Sequence, residues 1–205
     1  MLAAIAYAVM YFGRIPMISF LKYDPKDFVM NITGFLFGPL AVFTVSAVVS
    51  TVEMFTASET GWIGLLMNII STCSFACTAA LIYKKRRDLK GAVIGLVTGL
   101  LLMTGVMLVW NYIITPIHLG YPREAVAEML IPVFLPFNLI KGGINAAITM
   151  MLYKPVVMAL RKAGLVPEPE GTGTENKRIN IGVILVSAFI LITCIVLVLI
   201  LRGDI

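Results

Sequence analysis

Long apolar runs separated by short polar or basic stretches set the plan of the chain. Runs of about 20 apolar residues, enough to cross a bilayer core as a helix, occupy 28–52, 62–83, 91–115, 129–153 and 179–201, with a shorter one at 1–13. None alternates apolar and polar residues with a period of two, which argues against a transmembrane barrel. The pattern predicts an all-α integral membrane protein. The first run lacks a basic leader and gives way at once to further membrane segments, so it reads as a first transmembrane helix and not as a signal peptide.

The polar residues inside these runs carry the chemical information. The run MLIPVFLPFNLIKGGINAAITMMLY, residues 129–153, holds Asn138, Lys141 and Asn145 among almost wholly apolar side chains. They lie three and seven apart, within one narrow stripe of a helix. A Lys at the centre of a membrane helix costs roughly 2.5–3.5 kcal/mol on insertion scales and is tolerated where it faces a cavity or a partner. The stripe therefore suggests a polar ligand site inside a membrane protein. Two other readings stand beside it: a Lys stem reaching the headgroups, and side chains that merely join helices.

Composition agrees with the class, since 60% of residues are hydrophobic, 13% are charged and the mean hydropathy is +0.97. A net charge of +5 is compatible with nucleic-acid binding, but ten of the sixteen Lys and Arg residues sit in two segments beside membrane runs. These are YKKRRDLK (Lys84, Lys85, Arg86, Arg87, Lys90) and the group Lys154, Arg161, Lys162, Lys177 and Arg178. Basic segments of this kind report cytoplasmic loops. The two runs between them form an out-and-back pair, with the loop TPIHLGYPREAVAE outside and Trp62 and Trp110 at outer helix ends, as in an interfacial aromatic belt.

Several features argue against other classes. Cys73, Cys77 and Cys194 all lie inside apolar runs as small core fillers; the first two share a helix face, but no further ligand accompanies them to hold a metal. His118, the single histidine, falls in the outer loop. There is no Gly-x-Ser-x-Gly, no His-Glu-x-x-His and no Gly-x4-Gly-Lys-Ser/Thr, so active transport would draw its energy from an ion gradient or a partner. The carboxylates Asp24, Asp27, Glu59, Glu124 and Glu128 are spread over loops, with Glu53 alone inside a membrane run. Small residues at spacings of four, Ala4 with Ala8 and Gly91 with Gly95 and Gly99, allow close helix approach, either within the chain or to a partner.

Between the first two runs, an amphipathic stretch of aromatics, prolines and opposite charges is too structured in composition for a linker. Its segment FLKYDPKDF (Phe20 to Phe28), the following GFLFGPLA (Gly34 to Ala41), the later WNYIITP (Trp110 to Pro116) and above all LPFNLIKGGIN (Leu135 to Asn145) resemble the riboflavin-binding S components of energy-coupling factor (ECF) transporters. The similarity runs from about residue 3 to 162. In that family the Gly-Pro step, here Gly38-Pro39, separates a short second helix from a third, and proline makes such a break physically reasonable. The helices then fall at about 2–14, 26–38, 39–55, 61–83, 91–115 and 129–160. This parity makes the N-terminus cytoplasmic, together with both basic segments.

The resemblance implies a six-helix S-component bundle over residues 1–162. Residues 163–178 read as a cytoplasmic linker and 179–205 as an additional C-terminal transmembrane helix, a departure from the family with no inferred ligand role. It implies a vitamin-capture subunit of a prokaryotic plasma membrane, with riboflavin as transported ligand and no cofactor. Riboflavin, a flat tricyclic ring with a hydrogen-bonding edge and a hydroxylated chain, needs apolar walls and a few convergent amides. Asn111, Asn138 and Lys141 fall at positions matching the family's motifs. Asn68 and Asn145 come from the polar pattern and could equally make interhelical hydrogen bonds. Phe20, Leu21 and Tyr23 resemble the segment that closes over the vitamin, the alternative being an interfacial loop. Ala4 and Ala8 match an Ala-x-x-x-Ala motif for docking on a transmembrane coupling protein that sits on two ATPase subunits. The rival readings are an S component for another vitamin or heterocyclic base, and an intramembrane enzyme using Lys141 as a base.

Overall fold

Each apolar run forms helix in a computed structural model that describes residues 1–18, 21–58, 60–162, 164 and 181–202. α1 spans Leu2–Gly13, and an antiparallel hairpin follows, with β1 at Ile15–Ile18 and β2 at Leu21–Tyr23. Then come α2 (Lys26–Phe37), α3 (Pro39–Thr56), α4 (Gly61–Thr72), α5 (Thr78–Lys85), α6 (Leu89–Leu119), α7 (Arg123–Met129), α8 (Leu135–Lys162) and α9 (Ile181–Arg202). α4 and α5 form one rod with a wide π-turn at Cys73–Cys77, and α7 and α8 are joined likewise at Leu130–Phe134. Pro132 and Pro136 account for the second π-turn, because neither has an N–H for the regular ladder. Among the described residues the architecture is thus a six-rod helical bundle with one further helix, and five of these segments are long and apolar enough to cross a membrane. The linker expected at 163–178 lies outside the described residues apart from Gly164.

The break between α2 and α3 has a local cause. Gly38 adopts φ +86°, a region that disfavours any side chain, and Pro39 then starts α3 where its missing N–H costs nothing. The short α2 sits at the centre, packed against α1, α3, α5 and α8. Its residues from Val29 to Phe35 are buried although the sequence is only moderately apolar. On α3 the inward stripe is Val42, Ser46, Val49, Ser50 and Glu53, at helical spacing. Gly95 and Gly99 of α6 face α5 and the adjoining π-turn, and Gly91 faces Arg86 just beyond α5: a Cβ on Gly95 would lie 2.8 Å from the Ala79 carbonyl oxygen. The Gly91, Gly95, Gly99 stripe is therefore spent on packing within the chain.

Two sequence expectations change. The expected outer loop contracts, because α6 continues through Pro116 to Leu119 and α7 restarts at Arg123. Pro116 removes one hydrogen bond in the last turn without ending it, and Gly120, at φ +71°, makes the stop. The stretch after α1, too structured in composition for a linker, is the β1–β2 hairpin. Trp62 is 72% exposed as a belt residue would be, but Trp110 packs inward against the core of Phe75, Leu96 and Met103.

Candidate functional site

A cavity of about 380 Å³ opens at one end of the bundle, within the size range of small-molecule sites. It lies where α1, α3 and α6 end and where α4 and α8 begin, so the basic residues 84–90 at the far ends of α5 and α6 are on the opposite side. Ile63, Met67, Met107, Trp110, Ile114 and Phe137 give it broad apolar walls. Asn68, Asn111, Asn138 and Lys141 stand on three different helices around the same space, and Leu21 of the hairpin lines it too. His118, expected in a loop, sits on the last turn of α6 at the exposed rim.

Each of these polar side chains is held by the protein yet keeps donor capacity, and the Asn111 Oδ1 also accepts from Thr115 Oγ1 at 3.2 Å. The Asn138 amide donates to the Phe134 carbonyl at 2.8 Å, and that of Asn111 to the Met107 carbonyl at 2.7 Å. Asn68 donates to Glu53 Oε2 at 2.9 Å. Lys141 Nζ lies 3.4 Å from Asp27 Oδ2. An amide nitrogen carries two donors and an ammonium three, so each keeps donor capacity beyond the bond that orients it.

Asn145 and Tyr23 are placed differently, one turn below the cavity. Side chains on a helix tilt toward its N-terminus, so Asn145 lies deeper than Lys141 on the same stripe. Its Oδ1 accepts from Tyr23 Oη at 3.3 Å and from the Phe28 N–H at 3.2 Å, and its amide donates to the Asp24 carbonyl at 3.4 Å. Asn145 therefore ties the hairpin exit to α8. Burial, reinforced by the carboxylates of Asp27 and Asp24, pushes the Tyr23 phenol upward, which keeps it a donor. Phe20 lies outside the described residues. Ala4 and Ala8 are exposed on the outer face of α1, opposite buried Ala6 and Met10.

The larger correction concerns the acids. Asp24, Asp27 and Glu53, read in sequence as scattered, converge with Arg14, Lys26 and Lys141 into one network of three anions and three cations beside the cavity. Lys26 Nζ lies 2.7 Å from Asp24 Oδ2 and 2.7 Å from Glu53 Oε2, although Lys26 is only 1% exposed. Arg14 pairs with Glu53 and approaches Asp24 at 3.6 Å. Thr72 donates to Asp27 Oδ1 at 2.7 Å. Burial alone would raise Asp24, but the Lys26 and Lys141 ammonium groups outweigh it and hold its carboxyl below the ordinary value. Burial would likewise lower Arg14, and Glu53 and Asp24 raise it instead. The available signal was the alternation of charge in Lys22-Tyr-Asp-Pro-Lys-Asp27 just before an apolar helix, together with an intramembrane Glu53 that needs a cation.

These features define a helical membrane protein with a one-ended cavity, apolar on its walls and polar along one edge. The chain belongs to the ECF transporter, substrate-specific component family, whose model matches residues 1–153. It is 28% identical over 170 residues to the riboflavin transporter RibU of Staphylococcus aureus strain TCH60, covering 79% of this chain and 89% of that protein. It is 27% identical over 179 residues to the riboflavin transporter FmnP of Bacillus subtilis strain 168, covering 80% and 93%. A solved structure of the S component of a bacterial ECF transporter superposes with a TM-score of 0.65 at 27% identity, over 78% of this chain and 93% of that one.

Proposed function

We propose that this chain is the riboflavin-binding subunit of an ECF uptake transporter, taking the vitamin from the outer face of a prokaryotic plasma membrane. The observation that carries the reading is the division of the cavity into apolar walls, suited to a flat heteroaromatic ring, and a convergent edge of Asn68, Asn111, Asn138 and Lys141. The relatives named as riboflavin transporters support it. The ring lies between the walls around Trp110 and Phe137, and the amides and the Lys141 ammonium receive its carbonyl and nitrogen edge or the hydroxylated chain. Leu21 bounds the cavity from the hairpin, and Tyr23 with Asn145 holds that hairpin in place. No bond of the vitamin is made or broken, and the site reads shape and hydrogen bonding alone.

The cavity opens away from the basic segments, which by the charge rule face the cytoplasm, so the N-terminus is cytoplasmic and the cavity faces outward. Inward delivery depends on a partner: the exposed Ala4 and Ala8 permit close approach of a second helix, belonging to a transmembrane coupling protein carried on two ATPase subunits. Titration of riboflavin with the detergent-purified chain, followed by the vitamin's own fluorescence, tests the reading. Saturable quenching at about one ligand per chain is expected, and no quenching by folded protein would overturn it.

A further inference from the structure

α9 lies beyond residue 153, where the family match ends, yet it does not stand apart from the site. Its inward stripe is Ser187, Leu191, Cys194 and Val198, spaced four, three and four, the pattern of one helix laid along another. It packs on α8 and touches β1 of the hairpin. The seat on α8 is Gly143, where an added Cβ would come 3.2 Å from Cys194 Sγ. The adjacent Gly142 faces Leu100 and Met103 of α6, so two consecutive glycines admit neighbours on two sides of α8.

The seam between α8 and α9 continues into the hairpin. Met17 of β1 and Tyr23 of β2 share one apolar cluster with Ile140, Ile144 and Cys194, and Leu21 packs on it with Leu191 and Val198. A two-stranded hairpin is marginal on its own and takes its stability from an apolar backing. Here the backing is supplied partly by α9, while Leu21 and Lys22 of the same hairpin, with Asp24 just after it, also line the cavity. The helix is therefore coupled to the cavity without lining it.

We propose that α9 is an intramolecular clamp: by backing the hairpin through Leu191, Cys194 and Val198 it holds the hairpin closed over the cavity and slows ligand release. These are positioning residues, and the ligand half of the inference rests on the riboflavin reading above. The test uses the full-length chain in two variants, Gly143→Leu, which wedges α9 off its seat, and Leu191→Ala with Val198→Ala, which removes the packing. Hydrogen exchange of the amides of residues 15–23 is measured without ligand, and riboflavin release by recovery of fluorescence. In both variants hairpin exchange should rise about fivefold or more while α3 amides stay protected, and release should quicken about tenfold. Unchanged hairpin exchange, or a loosened hairpin with unchanged release, overturns the clamp. If Gly143→Leu deprotects the whole bundle, the double alanine variant decides. If the unmodified chain binds no riboflavin, the functional reading falls, while the exchange data still test the coupling of α9 to the hairpin.

Discussion

Replacing Lys26 by Met probes the charge network most directly, because it keeps the length of the stem and removes only the ammonium. Lys26 is 1% exposed and sits 2.7 Å from both Asp24 Oδ2 and Glu53 Oε2. Each contact has a gross attraction of roughly 6 kcal/mol at an effective dielectric of about 20, and desolvation offsets several kcal/mol per ion. What decides the outcome is the charge left behind. After the substitution Asp24 and Glu53 share Arg14, with the Lys141 ammonium also acting on Asp24, and Arg14 reaches Asp24 only at 3.6 Å. Removing one partner of a buried pair costs about 3–5 kcal/mol, or a fall of about 6–20 °C in melting temperature for a chain of this size. Thermal unfolding in detergent measures it. Adding Glu53→Gln restores neutrality and should recover at least half of the loss, a coupling that identifies the pair. A loss below about 1 kcal/mol, or no recovery in the double variant, would refute the account of the network as a balanced unit.

Other expectations follow from the cavity and its surroundings. Asn138→Ala should weaken riboflavin binding at least about tenfold, about 1.4 kcal/mol, without unfolding the chain. Lys141→Ala, made with Asp27→Asn so that no buried carboxylate is orphaned, should do the same by fluorescence titration, and unchanged affinity in both removes the site assignment. Ala4→Trp with Ala8→Trp should leave binding intact and abolish uptake in cells carrying the full transporter, undiminished uptake ruling out the docking face. Asp24 has its folded pKa held down, so its contribution to stability is present above the unfolded carboxylate value of about 3.9 and is lost as pH falls through the lower folded value. Melting temperature should therefore be flat from about pH 8 to 5 and decline below about 4; a decline beginning near neutrality would contradict the sign.

What was legible in the sequence was what stands out against an apolar background. Lys141 and Asn138 are exceptional where they occur, and the period of 3.6 puts them on one face, so their convergence followed from local pattern alone. The stop at Gly38-Pro39 came from the family resemblance, because the apolar run 28–52 reads as one span without it, although the stop itself is a local event. The ion pairs were not readable, because partners such as Lys141 and Asp27 come from distant segments and no periodicity links them. Asn145 shows a finer limit: it shares the stripe of Lys141, but one helical turn separates a cavity wall from the buried seam beneath it. Trp110 shows the same for aromatic residues, whose place near a helix end is compatible with lipid or with a pocket. The position of α9 was hidden because its sequence is apolar on all sides, and only the small residues Ser187 and Cys194 with Gly143 opposite distinguish the face that packs.

The six charges of the network come from α1's end, the hairpin exit, α2, α3 and α8, and this bears on how the chain is made. During synthesis, Asp27 enters the membrane long before Lys141 leaves the ribosome, and until then the adjacent Lys26 and later Thr72 are the partners within reach. A bilayer tolerates such a carboxylate poorly, so the early helices are best kept together beside the insertion machinery until α8 arrives to close the set. Chains halted before α8 should consequently be short-lived in the membrane, and an Asp27→Asn substitution should lengthen their survival in a pulse-chase measurement. The charge balance of the network is reached only once α8 is in place.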